Sequence, residues 1–105
     1  LGAAMPSSGG IGTAWVFYNR VEREADRHGV GIAPVLASAV ALQIGHLLQR
    51  TPGHADRGLM RASWNHADYL RAINGRLRFS AADAEQFGSS GPLLRLGLAN
   101  AGVVR

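Results

Sequence analysis

A charge-free stretch in the first half of the chain limits what this sequence can fold into more than any other feature. Residues 28–49 contain no Asp, Glu, Lys or Arg. Proline is tolerated at the start of a helix, and Gly and Pro after the last turn end one. We therefore predict a helix over about residues 33–49, beginning at Ala33 or Pro34 and ended by the Thr-Pro-Gly sequence at 51–53.

Both sides of this helix are apolar. One side consists of Leu36, Val40, Ile44, Leu47 and Leu48, and the other of Val35, Ala39, Leu42 and His46. A helix that is apolar all round is typically buried in a protein core. A membrane span would need ~20 apolar residues, and this stretch is interrupted at Pro34, Ser38, Gln43, Gly45 and His46. We expect a buried central helix and no membrane span.

Size and composition favour one small folded domain. The chain has 105 residues, of which 47% are hydrophobic and 17% charged, which is too apolar for a disordered chain. Cysteine is absent, so disulfides, thiolate metal sites and a cysteine nucleophile are excluded. Any metal would have to be bound by His, Asp or Glu.

The positive charge does not indicate a nucleic-acid partner. All 11 basic residues are arginines, scattered from Arg20 to Arg105, and the net charge is only +4. A nucleic-acid-binding domain usually concentrates charge on one face, so we expect no nucleic acid. Phosphate-binding loops and a nucleophile elbow are missing too, which argues against nucleotide binding and serine hydrolysis.

No signal-peptide pattern is present in the sequence. The cellular location stays open, and a secreted or periplasmic location is included.

The elements before the central helix are predicted from local patterns. Residues 1–12 contain Gly, Ser and Pro, and we expect a flexible N-terminal segment there. The β-branched and aromatic run Thr13–Tyr18 is apolar on both faces and predicts one short buried strand. Asn19, with Glu22 three residues later, predicts a capped helix that Gly29 would end.

Two shorter helices are predicted after a loop over residues 50–64. Each begins at a capping pair three residues apart, Asn65 with Asp68 and Ser80 with Asp83. The first helix would end near Asn74-Gly75, with an apolar side of Tyr69, Leu70 and Ile73, and the second would end near Phe87. Leu77–Phe79 between them predicts an extended segment, and residues 88–105 a Gly-rich tail.

The sequence A-L-Q-I-G-H-L-L at residues 41–48 is followed by His54, G-L-M-R at 58–61 and Trp64. This pattern resembles the active-site region of zincin metallopeptidases. It is most similar to small bacterial metzincin-like proteins that read A-H-E-I-G-H-L-L, then a loop, a third His and G-L-M-R. V-F-Y-N-R-V-E at 16–22 looks like the strand and helix that precede that site.

The resemblance covers about residues 13–87 and implies a zincin-like domain there. The fold class expected is α+β, mostly helical, with one short strand and the central active-site helix. A full zincin needs a multi-stranded sheet before that helix, so this domain could be the C-terminal part of a larger one. The resemblance also implies a zinc cofactor and a peptide or protein substrate.

By this resemblance His46 and His54 are two of three zinc ligands, and Met60 is the Met-turn residue beneath the metal. The first His and the Glu of H-E-x-x-H are replaced by Leu42 and Gln43. In that motif the histidines bind one zinc, and the Glu accepts a proton from the zinc-bound water. Leucine has no lone pair, and glutamine is not competent as a general base. We expect a weak or vestigial metal site.

The function expected is a degenerate zinc metallopeptidase homologue, with peptide hydrolysis impaired or absent. One alternative is a small non-enzymatic helical interaction module. Another is an active metallopeptidase with atypical ligands, in which Asp56 could supply an oxygen. Without the family pattern, His46 is more typical of a core histidine and His54 of an exposed turn residue. His28 and His66 are expected on the surface near helix ends. The distance between His46 and His54 in space discriminates these hypotheses.

Overall fold

The structure, a computed structural model, describes residues 1–5, 12–49 and 53–87. Within these ranges the elements follow in the order β1 (Gly2–Met5), β2 (Thr13–Val16), α1 (Tyr18–Arg27), α2 (Ile32–Leu48), α3 (His66–Ile73) and α4 (Ala81–Phe87). The two strands pair antiparallel, with Gly2 opposite Val16 and Met5 opposite Thr13. The described chain is a small α+β domain, as predicted.

The strands differ from the prediction in number and in burial. β1 lies inside the segment expected to be a flexible loop, because its order comes from pairing with β2 and not from a local pattern. β2 ends at Val16, two residues before the expected end at Tyr18. Its side chains alternate in burial, and Trp15 is 45% exposed. The prediction of a strand buried on both faces is therefore wrong, because α2 covers only one face.

Helix α1 begins earlier than the predicted cap at Asn19. Phe17 is its N-cap residue, and no side chain caps it. The backbone N–H of Phe17 donates to the carbonyl of Leu1 at 2.8 Å, so sheet pairing fixes the helix start instead of Asn19. The helix ends as predicted, because Gly29 takes a left-handed conformation with φ of 65° just after the C-cap.

Helix α2 confirms the central prediction to within about one residue at each end. Its burial is less uniform than expected. The buried residues are Val35, Ala39, Ala41, Gln43 and Gly45, whereas Val40 is 41% exposed. Small side chains on α2 let the sheet, α1 and α3 approach it closely. The side of the helix that carries Val40 faces outward. No helix in the described ranges is long and apolar enough to cross a membrane.

Helix α3 confirms the capping prediction. The Asn65 Oδ1 accepts from the Asp68 backbone N–H at 2.9 Å, and the Asp68 Oδ2 accepts from the Asn65 N–H at 2.9 Å. The predicted apolar side is only partly right, because Tyr69 is buried while Leu70 and Ile73 are exposed. Buried Asp68 occupies the inner side together with Ala72.

Helix α4 confirms its capping pair in the same way. The Ser80 N–H donates to the Asp83 Oδ2 at 2.9 Å, and the Asp83 N–H donates to the Ser80 Oγ at 3.1 Å. In the extended segment before α4, the Arg78 carbonyl accepts a hydrogen bond from the Leu59 N–H at 2.9 Å. The predicted Gly-rich tail at 88–105 lies outside the described residues.

Candidate functional site

His46 is half-buried in the last turn of α2. Its Nδ1 lies 2.9 Å from the Gln49 Oε1, and the Gln49 Nε2 donates to the Gly53 carbonyl at 2.8 Å. Because an amide oxygen only accepts, the Nδ1 of His46 carries the hydrogen, and in the neutral ring Nε2 keeps the lone pair. Metal-binding histidines are usually oriented by such a second hydrogen bond.

The loop after α2 brings His54 to His46. The two ring centroids are 5.1 Å apart, and the ring planes meet at 82°. The loop is held in place by the Ala55 N–H, which donates to the Met60 carbonyl at 3.0 Å, and by a bridge between Ala55 and Arg61. His54 itself is exposed. The tertiary structure thus places two imidazoles side by side at the surface.

Met60 is fully buried beside the helix turn that carries His46. A Cβ added at Gly45 would lie 2.5 Å from the Met60 Sδ and 2.7 Å from the Phe79 Cε1. Only glycine leaves room for this contact. Met60 shares a buried cluster with Phe87, onto which Leu42 also packs. Methionine fills such an irregular gap well because its side chain is unbranched and flexible.

The residues at the two altered motif positions point into the protein. Leu42 packs against two buried apolar clusters. Gln43 is 4% exposed, and a Cβ added at Gly2 would lie 2.6 Å from its Nε2. Gln43 is therefore packed beneath β1. Its Oε1 accepts no hydrogen bond from any residue that the structure describes, and a buried unsatisfied polar atom costs about 1–3 kcal/mol.

These residues do not fit a catalytic zinc site. Such a site uses three protein ligands and a water. In the described part of the chain, no three His, Cys, Asp or Glu side chains lie together so that they could hold a metal ion. Asp56 is an exposed loop residue and joins no such group. The arrangement offers two imidazoles and an apolar neighbour, Leu42.

A second group of polar side chains was not predicted. A cleft of about 460 Å³ lies between α1, the start of α3 and Leu42 of α2. The ring of His28 stacks on Tyr69, with centroids 4.0 Å apart. Burial and, to a smaller extent, the charge of Glu24 raise the pKa of Tyr69 to about 12. His28 and His66 do lie at helix ends as expected. His66 is exposed, and the His28 side chain is 15% exposed and lines the cleft.

Sequence carries little signal for this second group. His28 and His66 are separated by 38 positions, and neither belongs to a spaced motif. Each is typical of a residue at a helix end. Their meeting depends on how α1 and α3 both pack on α2.

The comparisons with known proteins give no assignment. No protein-family model, curated protein or solved structure matches this chain. The functional argument therefore rests on the residues and on the geometry above.

Proposed function

We propose that this chain is a metallopeptidase-like domain of the zincin type that has lost peptide hydrolysis and keeps a two-histidine remnant of the metal site. The observation that supports it is the pairing of His46 and His54, whose ring centroids are 5.1 Å apart. Their separation is compatible with one shared ion. The proposal also draws on Met60, packed against Gly45 next to His46.

The loss of hydrolysis follows from two positions. Leu42, one helical turn before His46, has no lone pair, so the third zinc ligand is missing. Gln43 cannot take a proton from a zinc-bound water, and general-base catalysis of that kind contributes about 10²–10⁴-fold in rate. The side chain of Gln43 is also packed beneath β1. A peptide or protein segment is the proposed binding partner, bound without being cut.

A non-enzymatic helical interaction module is the second candidate. The observation favouring it is the exposed aromatic group Trp15, Phe17 and Tyr18 at the junction of β2 and α1. Exposed apolar patches of this kind often mark interaction surfaces. The two candidates differ in whether His46 and His54 share an ion.

Restoring the missing ligand tests the proposal. We expect Leu42→His to bind zinc at least about tenfold more tightly than wild type, equivalent to about 1.4 kcal/mol, in a calorimetric titration. Adding Gln43→Glu supplies the missing general base, and a gain in peptide hydrolysis is expected only when both changes are present. Residues that act as a unit behave in this non-additive way.

Two control variants locate the metal. Leu42 also borders the cleft with His28, so a new histidine there could recruit the wrong partner. In the Leu42→His background, His54→Ala should abolish the gain in affinity, and His66→Ala should leave it intact. If Leu42→His is folded by circular dichroism and still binds zinc no better than wild type, the interaction-module hypothesis replaces the proposal.

A further inference from the structure

His28 and His66 form a direct contact between two helix ends. His28 is the C-cap residue of α1, and His66 is the first residue of α3. Their Nδ1 atoms are 2.8 Å apart, the ring centroids 5.1 Å apart, and the planes differ by 25°. The centroid separation equals the Nδ1 contact plus one ring radius on each side. Both nitrogens therefore lie on the line between the ring centres.

This geometry describes a hydrogen bond and not a metal site. A zinc ion needs about 2.0–2.1 Å to each nitrogen, and the gap of 2.8 Å between collinear nitrogens is too short for it. An N–H of one ring pointing at the lone pair of the other fits well. The contact therefore requires one proton between the rings and one free lone pair to accept it.

The neighbouring carboxylate favours one direction for this bond. The Nε2 of His28 lies 3.5 Å from the Glu24 Oε2, so a hydrogen on Nε2 faces the carboxylate. Neutral His28 then accepts at Nδ1, and His66 donates. One extra proton can bind at the Nε2 of His66 without breaking the bond. A second extra proton has to bind at the Nδ1 of His28, which accepts the hydrogen bond. Two N–H groups and two positively charged rings would then face each other.

Among the described residues, the pair has one nearby counter-charge, the Glu24 carboxylate. The Glu24 carboxylate is already shared with Arg27, at 3.6 Å. On α3, buried Asp68 is engaged by Arg61 and Arg71. Tyr69, stacked on His28, stays neutral because its pKa is about 12. Besides Glu24 and Arg27, the charged side chain of the described residues that lines the cleft is Arg61, which is positive.

We propose that the His28–His66 pair is a proton-operated latch that joins α1 to α3 beside the cleft. The latch is closed with no extra proton or with one, and the second proton opens it. Opening separates the end of α1 from the start of α3 and removes His28 from the ring of Tyr69.

Coupled titration is the direct test. In the full chain, proton uptake by both imidazoles is followed by NMR. We expect proton uptake at one ring to depend on the presence of the other ring, as for interacting sites. In His66→Ala the uptake curve of His28 should differ from that of wild type, and in His54→Ala it should not. If His28 titrates identically in wild type and His66→Ala, the latch is refuted.

Fluorescence reports the opening itself. Trp64 lies 5.8 Å from Tyr69 between ring centroids, and Trp15→Phe removes the only other tryptophan. In that background, the Trp64 emission should change at the second proton step, and His66→Gln should abolish the change while leaving the protein folded. An identical pH-dependent change in His66→Gln would overturn the proposal. The His66 side chain is exposed, so His66→Ala and His66→Gln are compatible with folding.

Discussion

Gly45 is the residue whose replacement by alanine has the clearest steric consequence. The new Cβ would lie 2.5 Å from the Met60 Sδ, so the buried methionine would have to move. Overpacking of this kind costs about 1–3 kcal/mol, whereas alanine in a helix interior gains only about 1 kcal/mol over glycine. We expect Gly45→Ala to lower the free energy of unfolding, measured by urea denaturation.

A second glycine of the same helix region provides the control. A Cβ at Gly31 would meet only the Pro34 Cδ, at an ordinary 3.8 Å. Gly31→Ala should change stability by less than about 1 kcal/mol, the usual size of a cap effect. Equal effects at the two positions would show that Met60 does not pack against Gly45.

Ionisation of Tyr69 should lower the free energy of unfolding at alkaline pH. Burial, and after it the charge of Glu24, raises the pKa of its hydroxyl from 10.0 to about 12. Because the folded state holds this proton more tightly, the stabilisation is fully present below pH 10. It is lost as the pH rises toward about 12. The urea midpoint should be lower at pH 11.5 than at pH 9, and Tyr69→Phe should make this difference smaller. Tyr18→Phe, at an exposed tyrosine, should not.

At the scale of the element, α2 shows the difference between an apolar helix face and a buried one. Val35 is fully buried and Val40 is 41% exposed, although both lie in the same helix. Val35→Ala should therefore destabilise by about 2 kcal/mol, from lost burial and a cavity. Val40→Ala should cost less than about 1 kcal/mol. Thermal and urea unfolding of the two variants decide this, and equal losses would place Val40 in the core.

The helices after α2 were predictable because their start signals are local. Asn65 with Asp68, and Ser80 with Asp83, form their hydrogen bonds across three residues, so the sequence alone specifies them. The start of α1 was not predictable from Asn19. It depends on a hydrogen bond between Phe17 and Leu1, residues that meet only after β1 and β2 pair.

At the scale of the whole molecule, the paired histidines lead to a weak response to zinc. Ligand at a concentration equal to its dissociation constant stabilises a protein by only about 0.4 kcal/mol. With two imidazoles and no third ligand, we expect a dissociation constant in the micromolar range or weaker, so wild type in micromolar zinc should gain at most about 2–3 °C in melting temperature. His54→Ala should remove that small gain. A large gain that His54→Ala abolishes would indicate a complete zinc site and would contradict the proposed two-histidine remnant.

The sequence by itself determined the extent of α2 and the capped starts of α3 and α4, because those features depend on residues within one helical turn of each other. It also singled out His46, His54 and Met60, but it could not place them. Which side of α2 is buried, how Gln43 came to lie beneath β1, and the contact of His28 with His66 were decided only by the tertiary structure. Those features depend on packing between segments far apart in the chain, and small residues such as Ala39 and Gly45 set how closely the segments approach.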